Sequence, residues 1–344
     1  MSNVLITGGA GYIGSILTRT LLEAGHDVTV VDRLFWRGTL PEHPALTVVA
    51  GDSRLLDESD LEGRDWVIDL AAISNDPSSE LFEDATWSIN HRGRVRCAQL
   101  AEKVGVGRYL LASTCSVYGF HDAESRATET SPTNPLTTYA KANLAAEEGV
   151  LEIASSSFTA TVVRQATVYG LSPRMRFDLA INGMTYGAWE TGRLPLMRDG
   201  SQWRPMVHVR DTSEAMLHLL ESDESTVAGE TFNVGSEANV YQIGALGEIV
   251  AETVPGDVEI EWYGDPDHRS YRVAFDKIEA TGWKAKRTAV DGVREVVAAL
   301  ESGETAKTPE TITLDWYRTL ATFRELLNEV EIDGQLLDLD GDTA

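Results

Sequence analysis

Short, continuously apolar segments alternate with helical patterns along the first half of the chain. The apolar segments are VLIT (4–7), VTVVD (28–32), LTVVAGD (46–52), WVIDLAA (66–72), RYLLAS (108–113) and TATVVR (159–164). A helical pattern with one apolar face follows the first segment, and further helical patterns cover 83–104 and 138–154. Apolar strands separated by helices are typical of a parallel sheet covered on both faces. The pattern predicts a doubly wound α/β fold.

The second half of the chain has a less regular pattern. It predicts one further strand and two amphipathic helices, at 231–236, 242–253 and 289–300. We expect residues 1–170 to form the main domain and residues 171–328 to form most of a smaller, interleaved α+β lobe, with 230–236 returning to the main sheet. Residues 329–344 form an acidic end that is expected to fray.

The composition limits the classes of partner. The chain has 54 acidic and 29 basic residues and a net charge of −25, which disfavours binding to nucleic acid and to anionic membranes. No apolar run is long enough for a membrane span and no leader pattern precedes the first strand, so we expect a cytoplasmic protein without a membrane partner. Cys97 and Cys115 form neither a disulfide framework nor a metal-ligand spacing, so no metal is expected.

So acidic a chain is also typical of a protein adapted to a saline cell interior, where salt screens the repulsion between surface charges. On this hypothesis the melting temperature rises as the salt concentration increases from about 0.1 M to about 1 M, because the screening length shortens from about 10 to about 3 Å. Scanning calorimetry at several salt concentrations measures this. A melting temperature that does not depend on salt would count against the hypothesis.

A glycine-rich turn follows the first strand. Gly8, Gly11 and Gly14 have the spacing G-x-x-G-x-x-G at the start of the first helix. Glycine there permits a tight turn and a close approach of backbone to a pyrophosphate, which the N–H groups and dipole of the helix N-terminus stabilise. Asp32 ends the second strand, where a carboxylate binds the adenosine ribose and repels a 2′-phosphate. This context predicts a dinucleotide site that favours NAD over NADP, although Arg33 argues the other way.

The order of short motifs along the chain resembles that of the extended short-chain dehydrogenase/reductases, in the branch of NAD-dependent nucleotide-sugar epimerases and dehydratases. The resemblance covers roughly residues 3–300 and rests on GGAGYIG (8–14), Asp32, GDS (51–53), LAA (70–72), Asn90 in SINHRG, STCSVYG (113–119), Tyr139, VYG (168–170) and RPMVHVRD (204–211). It implies a Rossmann domain that binds NAD, a lobe that binds a nucleotide-diphosphate sugar, and a homodimer formed through the helices near 83–104 and 138–154.

The resemblance also implies a set of contact residues. Those for NAD are Gly8, Gly11, Tyr12, Ile13, Gly14, Asp32, Asp52, Ser53, Leu70, Ala71, Ala72 and Asn90. Those for the substrate are Arg204, Asn182, Arg269, Arg272, Cys115 and Ser116. Arginine's planar fork suits diphosphate oxygens, and 164–210 contains seven arginines. Two interpretations of Asp52 stay open, an adenine contact and an ordinary turn aspartate.

Tyr139 is implied as the acid/base residue and Thr114 as the group that holds the substrate hydroxyl. The family places a lysine four residues after this tyrosine, but that position is Asn143 here, and Lys141 points about 200° away around the helix. A cation roughly 5 Å from the phenol, at an effective dielectric constant of about 20, lowers a tyrosine pKa by about two units. We count Asn143 with the catalytic residues because an amide can keep the hydrogen bond to the nicotinamide ribose.

Several activities are compatible with this substitution. The protein is an active but slowed enzyme, an enzyme that has recruited another base, or a protein that binds NAD and a sugar nucleotide without turnover. A reductase of small carbonyl compounds is a further alternative, although it leaves the arginine-rich segment unexplained. Asn143→Lys is expected to raise turnover, and unchanged or lower activity would mean that the site is organised around the asparagine.

The segment STCSVYG bears on the type of reaction. Relatives that eliminate water from the sugar carry Asp and Glu where Cys115 and Ser116 stand, and these two cannot act as a carboxylate pair. We therefore expect an epimerase or oxidoreductase that acts through a transient 4-keto sugar. Cys115 is either an acid/base thiol or a small buried residue beside the cofactor. The residues do not distinguish UDP, dTDP, GDP and CDP sugars.

Overall fold

The computed structural model describes residues 1–119, 125–265 and 270–330. Within them the strands are β1 Asn3–Thr7, β2 Asp27–Asp32, β3 Leu46–Ala50, β4 Trp66–Asp69, β5 Arg108–Thr114, β6 Arg126–Ala127, β7 Thr159–Gln165, β8 Thr167–Tyr169, β9 Arg193–Met197, β10 Trp203–His208, β11 Glu230–Val234, β12 Val240–Gln242, β13 Glu259–Tyr263 and β14 Arg272–Val273. The α-helices are α1 Tyr12–Glu23, α2 Glu58–Leu61, α3 Asp76–Leu81, α4 Glu83–Thr86, α5 Arg94–Lys103, α6 Thr138–Leu151, α7 Ala180–Thr191, α8 Val209–Glu221, α9 Glu224–Val227, α10 Ile243–Thr253, α11 Asp276–Ala280, α12 Ala289–Ser302 and α13 Thr313–Val330. A π-helical segment, Trp87–Gly93, joins α4 to α5.

Seven parallel strands form the main sheet, in the order β11-β7-β5-β4-β1-β2-β3. The chain moves outward from β1 in one direction through β2 and β3, and then in the other direction through β4, β5, β7 and β11. The direction of winding therefore reverses between β1 and β4, and a crevice opens there at the carboxyl ends of the strands. The doubly wound α/β fold expected from the sequence is confirmed.

The apolar strands are buried on both faces, as their continuous pattern requires. Val4 and Ile6 on β1 belong to the core beneath α1 and α8, whereas Leu5 belongs to the core beneath α5 and α6. All three side chains have no exposed surface. Because side chains alternate across a strand, one three-residue run supplies both cores and fixes the register of β1 between them.

The second half of the chain builds the smaller lobe. It contains the sheet β12-β10-β8 and the strand pair β13-β9, packed on α7, α10 and α12, and also β14, which pairs with β6 from the first half of the chain. β11 lies beside β7 in the main sheet. The chain therefore returns to the main sheet within the segment expected from the sequence, 230–236. The helices α7, α8 and α13 were not expected from the sequence. The domain limits themselves stay a prediction.

No helix in the described part of the chain combines the length and the apolar character needed to cross a membrane. Both cysteines are buried and unbridged. The described part of the chain contains no group of three or more His, Cys, Asp and Glu side chains placed to hold a metal ion.

Candidate active site

A cavity of about 770 Å³ lies at the carboxyl ends of the main strands, where the direction of winding reverses. The turn after β1, the ends of β2 to β5, the first turn of α6 and one face of α13 line it. The expected site residues in its wall are Gly8, Gly11, Tyr12, Ile13, Gly14, Asp32, Asp52, Ser53, Leu70, Ala71, Ala72, Thr114, Ser116 and Tyr139. Residues that are distant in the sequence thus line one continuous cavity.

The glycine turn is so tight that side chains cannot replace Gly8 and Gly14. Gly8 has a φ of +74°, and a Cβ there would lie 2.8 Å from the backbone nitrogen of Ala71. A Cβ on Gly14 would lie 2.4 Å from the carbonyl oxygen of Gly8. α1 begins at Tyr12 without a side-chain cap, so its first N–H groups and its positive dipole end are available to an anion. This cradle fits a pyrophosphate.

Asp32 presents a carboxylate to the same cavity. Its oxygens accept hydrogen bonds from the backbone N–H groups of Ala10 at 3.0 Å and Leu34 at 2.8 Å. Burial raises the pKa of Asp32, and these two hydrogen bonds oppose that rise. Each carboxylate oxygen keeps a lone pair for a ribose hydroxyl. The Arg33 guanidinium lies 3.4 Å from Asp52, so its charge is directed toward that carboxylate.

Asp52 combines features of both interpretations. It lines the cavity, but Arg54 donates to its two carboxylate oxygens, from Nε at 2.9 Å and from Nη2 at 2.6 Å. The side chain also caps the turn Ser53–Leu55. The hydrogen bonds from Arg54 lower the pKa of Asp52. The carboxylate therefore stays ionised and fixes the turn, whether or not it also contacts a ligand.

Tyr139 and Thr114 meet at the deep end of the cavity. Thr137 caps α6 by accepting from the N–H of Ala140 at 3.2 Å, which places Tyr139 in the first helical turn. The Thr114 hydroxyl, at the end of β5, donates to the Ser116 hydroxyl at 3.1 Å. Burial raises the pKa of Tyr139, while the positive charge of Arg94 and a hydrogen bond with Thr114 act to lower it. A phenol and an alcohol thus face the same space.

Three asparagines expected in the site are not part of the cavity wall. Asn90 is buried and makes two hydrogen bonds of 2.9 Å with the backbone of Ile73. Asn182 accepts from the N–H of Gly170 and donates to the Tyr12 hydroxyl. Asn143 is also buried. The amides of these asparagines hydrogen-bond to the turns and side chains that support the wall.

Asn143 takes no part in the wall because both ends of its amide are engaged inside the protein. Its Nδ2 donates to the carbonyl oxygen of Tyr139 at 2.8 Å, and its Oδ1 accepts from Nη1 of Arg94 at 2.8 Å. A direct bond from Asn143 to a cofactor ribose is expected above, but its side chain is buried outside the cavity wall. Lys141 is exposed and on another face of α6.

The residues expected to bind substrate form a second group beside the cavity. Ser116 is in the wall, and a hydrogen bond joins it to the Tyr271 hydroxyl. Arg204 lies over the Tyr271 ring at 5.6 Å, and Arg272 lies over the Trp203 ring at 4.9 Å. Arg269 falls outside the described residues. A row of hydroxyl, aromatic and guanidinium groups thus leads from the cavity across β10 and β14.

Cys115 is fully buried and lies 3.3 Å from the carbonyl oxygen of Arg164. Burial raises the pKa of its thiol well above the usual range. The structure therefore places this side chain as a small core residue, which is one of the two interpretations left open by the sequence.

An aromatic cover from the C-terminal helix was missed by the sequence reasoning. Tyr317 on α13 packs against Phe35, Trp36 and Phe82, with ring centroids 5.8 to 6.3 Å apart. The indole N–H of Trp36 donates to the carbonyl oxygen of Glu310, and that of Trp316 to Phe35. The only signals in the sequence were the aromatic pairs at 35–36 and 316–317. Trp316 and its acceptor Phe35 are 281 residues apart.

Two buried arginines from the loop after β8 also reach the cavity. Arg176 makes a two-pronged ion pair with Asp178 at 3.0 and 2.7 Å. Arg174 lies over the Trp36 ring at 4.0 Å, and burial lowers its pKa to about 9. Nη1 of Arg174 has no hydrogen-bond partner within the described residues. A buried donor without a partner fits an anionic ligand such as a dinucleotide.

The glycine cradle and the carboxylate at the end of β2 fit a dinucleotide, and Tyr139 and Thr114 line the same cavity. Residues 4–235 match the NAD dependent epimerase/dehydratase family, and the chain belongs to that family. Its cofactor is therefore NAD, as expected.

Similar proteins agree with this assignment. The chain is 28% identical to the low-salt glycan biosynthesis protein Agl12 of Haloferax volcanii over 86% of its own length and 97% of that protein. It is 28% identical to a UDP-glucose 4-epimerase of Corynebacterium glutamicum, over 76% and 85%. The solved structure of MoeE5 in complex with UDP-glucuronic acid and NAD superposes with a TM-score of 0.78 at 25% identity, covering 88% of this chain and 99% of that one.

The position of Asp32 predicts the choice between NAD and NADP. Asp32→Asn keeps an oxygen for the turn but loses the negative charge, so NAD is expected to bind about tenfold more weakly. The affinity for NADP is expected to rise relative to the affinity for NAD. Isothermal titration calorimetry with each dinucleotide measures the two affinities. Asp27→Asn, at the other end of the same strand, is the control. An unchanged NAD/NADP ratio would contradict the role given to Asp32.

The aromatic cover predicts that α13 contributes to cofactor retention. Tyr317→Ser is expected to weaken NAD binding about tenfold, because it removes ring contacts with Phe35 and Trp36 on the cavity wall. Phe323→Ser, on the exposed face of the same helix (53% exposed), is the matched control. NAD dissociation rates of the two variants give the comparison, and equal rates would show that α13 has no such role.

Proposed function

We propose that the protein is a nucleotide-sugar epimerase or oxidoreductase that acts through a transient 4-keto sugar. The observation that carries the proposal is the position of Tyr139 and Thr114 in one cavity with the glycine cradle and Asp32. NAD, when bound, supplies the hydride acceptor. The other requirements of the reaction, a proton acceptor and a group that orients the sugar, fall to side chains of this chain.

The two hydroxyl groups suit this division of labour. With NAD bound to accept a hydride from the sugar carbon, the Tyr139 phenolate would take the proton of the hydroxyl on that carbon as the C=O bond forms. Thr114 holds the sugar hydroxyl by a hydrogen bond. Reversal of both transfers on the same or the opposite face of the ketone gives back a sugar with the original or the inverted configuration and regenerates the phenolate.

The row of groups that leads away from the cavity supports a sugar nucleotide as substrate. Arg204 and Arg272 are suited to diphosphate oxygens, and Tyr271 connects Arg204 to Ser116 in the wall. Arginine side chains at these points oppose the repulsion that a chain of net charge −25 exerts on an anionic substrate. Nη2 of Arg272 also donates to the Glu237 carboxylate at 3.1 Å, so part of its charge is balanced within the protein. A small carbonyl compound would not need these groups. The complex of MoeE5 with UDP-glucuronic acid also supports this substrate class.

Epimerisation or simple hydride transfer is favoured over elimination of water. Elimination requires an acid and a base beside the sugar, and the two positions after Thr114 hold Cys115 and Ser116. The buried thiol is a poor acid/base group because its pKa is raised. Ser116 is occupied by its hydrogen bonds to Thr114 and Tyr271.

A second candidate function is the binding of NAD and a sugar nucleotide without turnover. Asn143 favours it, since α6 carries no cation four residues after Tyr139. A homodimer through the helices near 83–104 and 138–154 is part of the proposal for either function; α5 and α6 pack against each other on one face of the sheet.

The two functions differ in one measurable reaction. On mixing the NAD-loaded protein with a panel of UDP, dTDP, GDP and CDP sugars, we expect absorbance at 340 nm to rise with at least one of them. Tyr139→Phe is expected to reduce the rate of this rise at least a hundredfold, because general base catalysis contributes about 10² to 10⁴. Tyr263→Phe, at an exposed tyrosine (53%), is the control. No rise with any sugar, despite tight binding of NAD and UDP, would support the binding protein.

A further inference from the structure

One buried cation, Arg94, lines the cavity beside Tyr139. It comes from the first turn of α5, the helix that packs along α6, and its side chain is only 3% exposed. Nε donates to the carbonyl oxygen of Ala71 at 3.1 Å, and Nη1 donates to that of Ala112 at 3.0 Å. The guanidinium is therefore fixed between the carboxyl ends of β4 and β5, in the wall of the cavity that Tyr139 also lines.

Asn143 joins this guanidinium to the helix that carries Tyr139. Nη1 of Arg94 also donates to Oδ1 of Asn143 at 2.8 Å, and Nδ2 of Asn143 donates to the carbonyl oxygen of Tyr139 at 2.8 Å. The orientation of the amide follows from these two bonds, because only its oxygen can accept from an arginine. A lysine at position 143 has no acceptor and could not make this bridge.

The charge of Arg94 is only partly neutralised. The nearest carboxylate is Asp69, 3.7 Å from Nε, which is too long for a hydrogen bond. The Asp69 oxygens accept instead from the hydroxyls of Thr7 and Tyr109, each at 2.6 Å. The hydrogen bonds of the guanidinium go to neutral carbonyl and amide oxygens, so Asp69 offsets its charge only as an ion pair without a hydrogen bond, and the charge of Arg94 still acts to lower the pKa of Tyr139.

The other charged groups around Tyr139 each have partners of their own. Arg176 is tied to Asp178 by two hydrogen bonds. Asp76 and Glu80 on α3 face the start of α6, where Asp76 accepts from the Thr137 hydroxyl and Glu80 from the N–H of Thr138. Burial raises the pKa of Tyr139, and among the charges that lower it Arg94 acts most strongly, ahead of Arg176, while Asp76 opposes them.

We propose that Arg94 supplies the positive charge that stabilises the Tyr139 phenolate, and that Asn143 is the residue that positions it. The proposal rests on the function proposed above, in which Tyr139 accepts the proton. In this arrangement the cation reaches the phenol from α5 instead of from α6, and the loss of a lysine at 143 leaves the site charged. Arginine suits a buried position of this kind because it stays protonated where a lysine would lose its proton.

The proposal reverses the result expected for one variant. Asn143→Lys places a second cation where Oδ1 now accepts from Arg94, so the two positive groups would repel each other inside the protein. The single variant is therefore expected to lose stability and activity, whereas the double variant Arg94→Gln/Asn143→Lys, which has one cation again, is expected to regain both. A resemblance to lysine-containing relatives would have predicted a gain from Asn143→Lys alone.

The ionisation of Tyr139 can be measured without cofactor or substrate. Protein labelled with ¹³C at the tyrosine Cζ gives signals from ten tyrosines, and the signal lost in Tyr139→Phe identifies Tyr139. At a fixed alkaline pH, Arg94→Gln is expected to lower the ratio of phenolate to phenol about tenfold or more, since removal of a nearby charge shifts a pKa by one to two units. Arg94→Lys keeps a positive charge, so the ratio of phenolate to phenol is expected to fall less than threefold in this variant.

Controls separate this effect from a structural one. Arg92→Gln removes an exposed arginine two residues earlier and is expected to leave the ratio unchanged. Equal ratios in Arg92→Gln and Arg94→Gln, or an equal fall in Arg94→Lys and Arg94→Gln, would overturn the proposal. Should Arg94→Gln not fold, Arg94→Lys decides: a folded Arg94→Lys protein whose ratio stays within threefold of the wild type supports the proposal, and a folded one whose ratio falls tenfold or more overturns it. The titration needs no turnover, so its result is independent of the 340 nm assay.

Discussion

The close approach of the β1–α1 turn to the segment after β4 is the constraint on which the rest of the site depends. Gly8 can lie against Ala71 only because it has no side chain, and Gly14 can lie against Gly8 for the same reason. These contacts bring the N-terminus of α1 to the point where the sheet changes its direction of winding. The cradle, the Asp32 carboxylate and the ends of β4 and β5 all take their positions from this junction.

Negative and positive charges are separated between the surface and the cavity. The surface is strongly acidic, with a net charge of −25, but the cavity is lined by guanidinium groups from separate elements: Arg94 on α5, and Arg174 and Arg176 after β8. Each is held by carbonyl, carboxylate or aromatic partners inside the protein. An acidic protein of this kind can bind an anionic dinucleotide because its positive charges are buried, where screening by salt is weak.

Much of the fold and of the cofactor wall could be predicted from the sequence because both depend on local signals. The strands are continuously apolar, and the glycines and Asp32 stand at fixed offsets from the first two strands. Asn90, Asn143 and Asn182 were harder to interpret, since a buried amide beside a site can bind a ligand or brace the wall, and only packing decides. Arg94 and Tyr317 could not be predicted, because each reaches the cavity through contacts between helices that are distant in the sequence.

The central claim is that one cavity holds NAD with its reactive end beside Tyr139, under the charge of Arg94. A crystal structure of the protein with NAD and UDP tests it most directly. The account predicts adenosine at Asp32, pyrophosphate at the N-terminus of α1, nicotinamide between Thr114 and Tyr139, and Arg94 still bonded to Asn143. A dinucleotide bound elsewhere, or an Arg94 side chain turned away from the cavity with its bond to Asn143 broken, would contradict it.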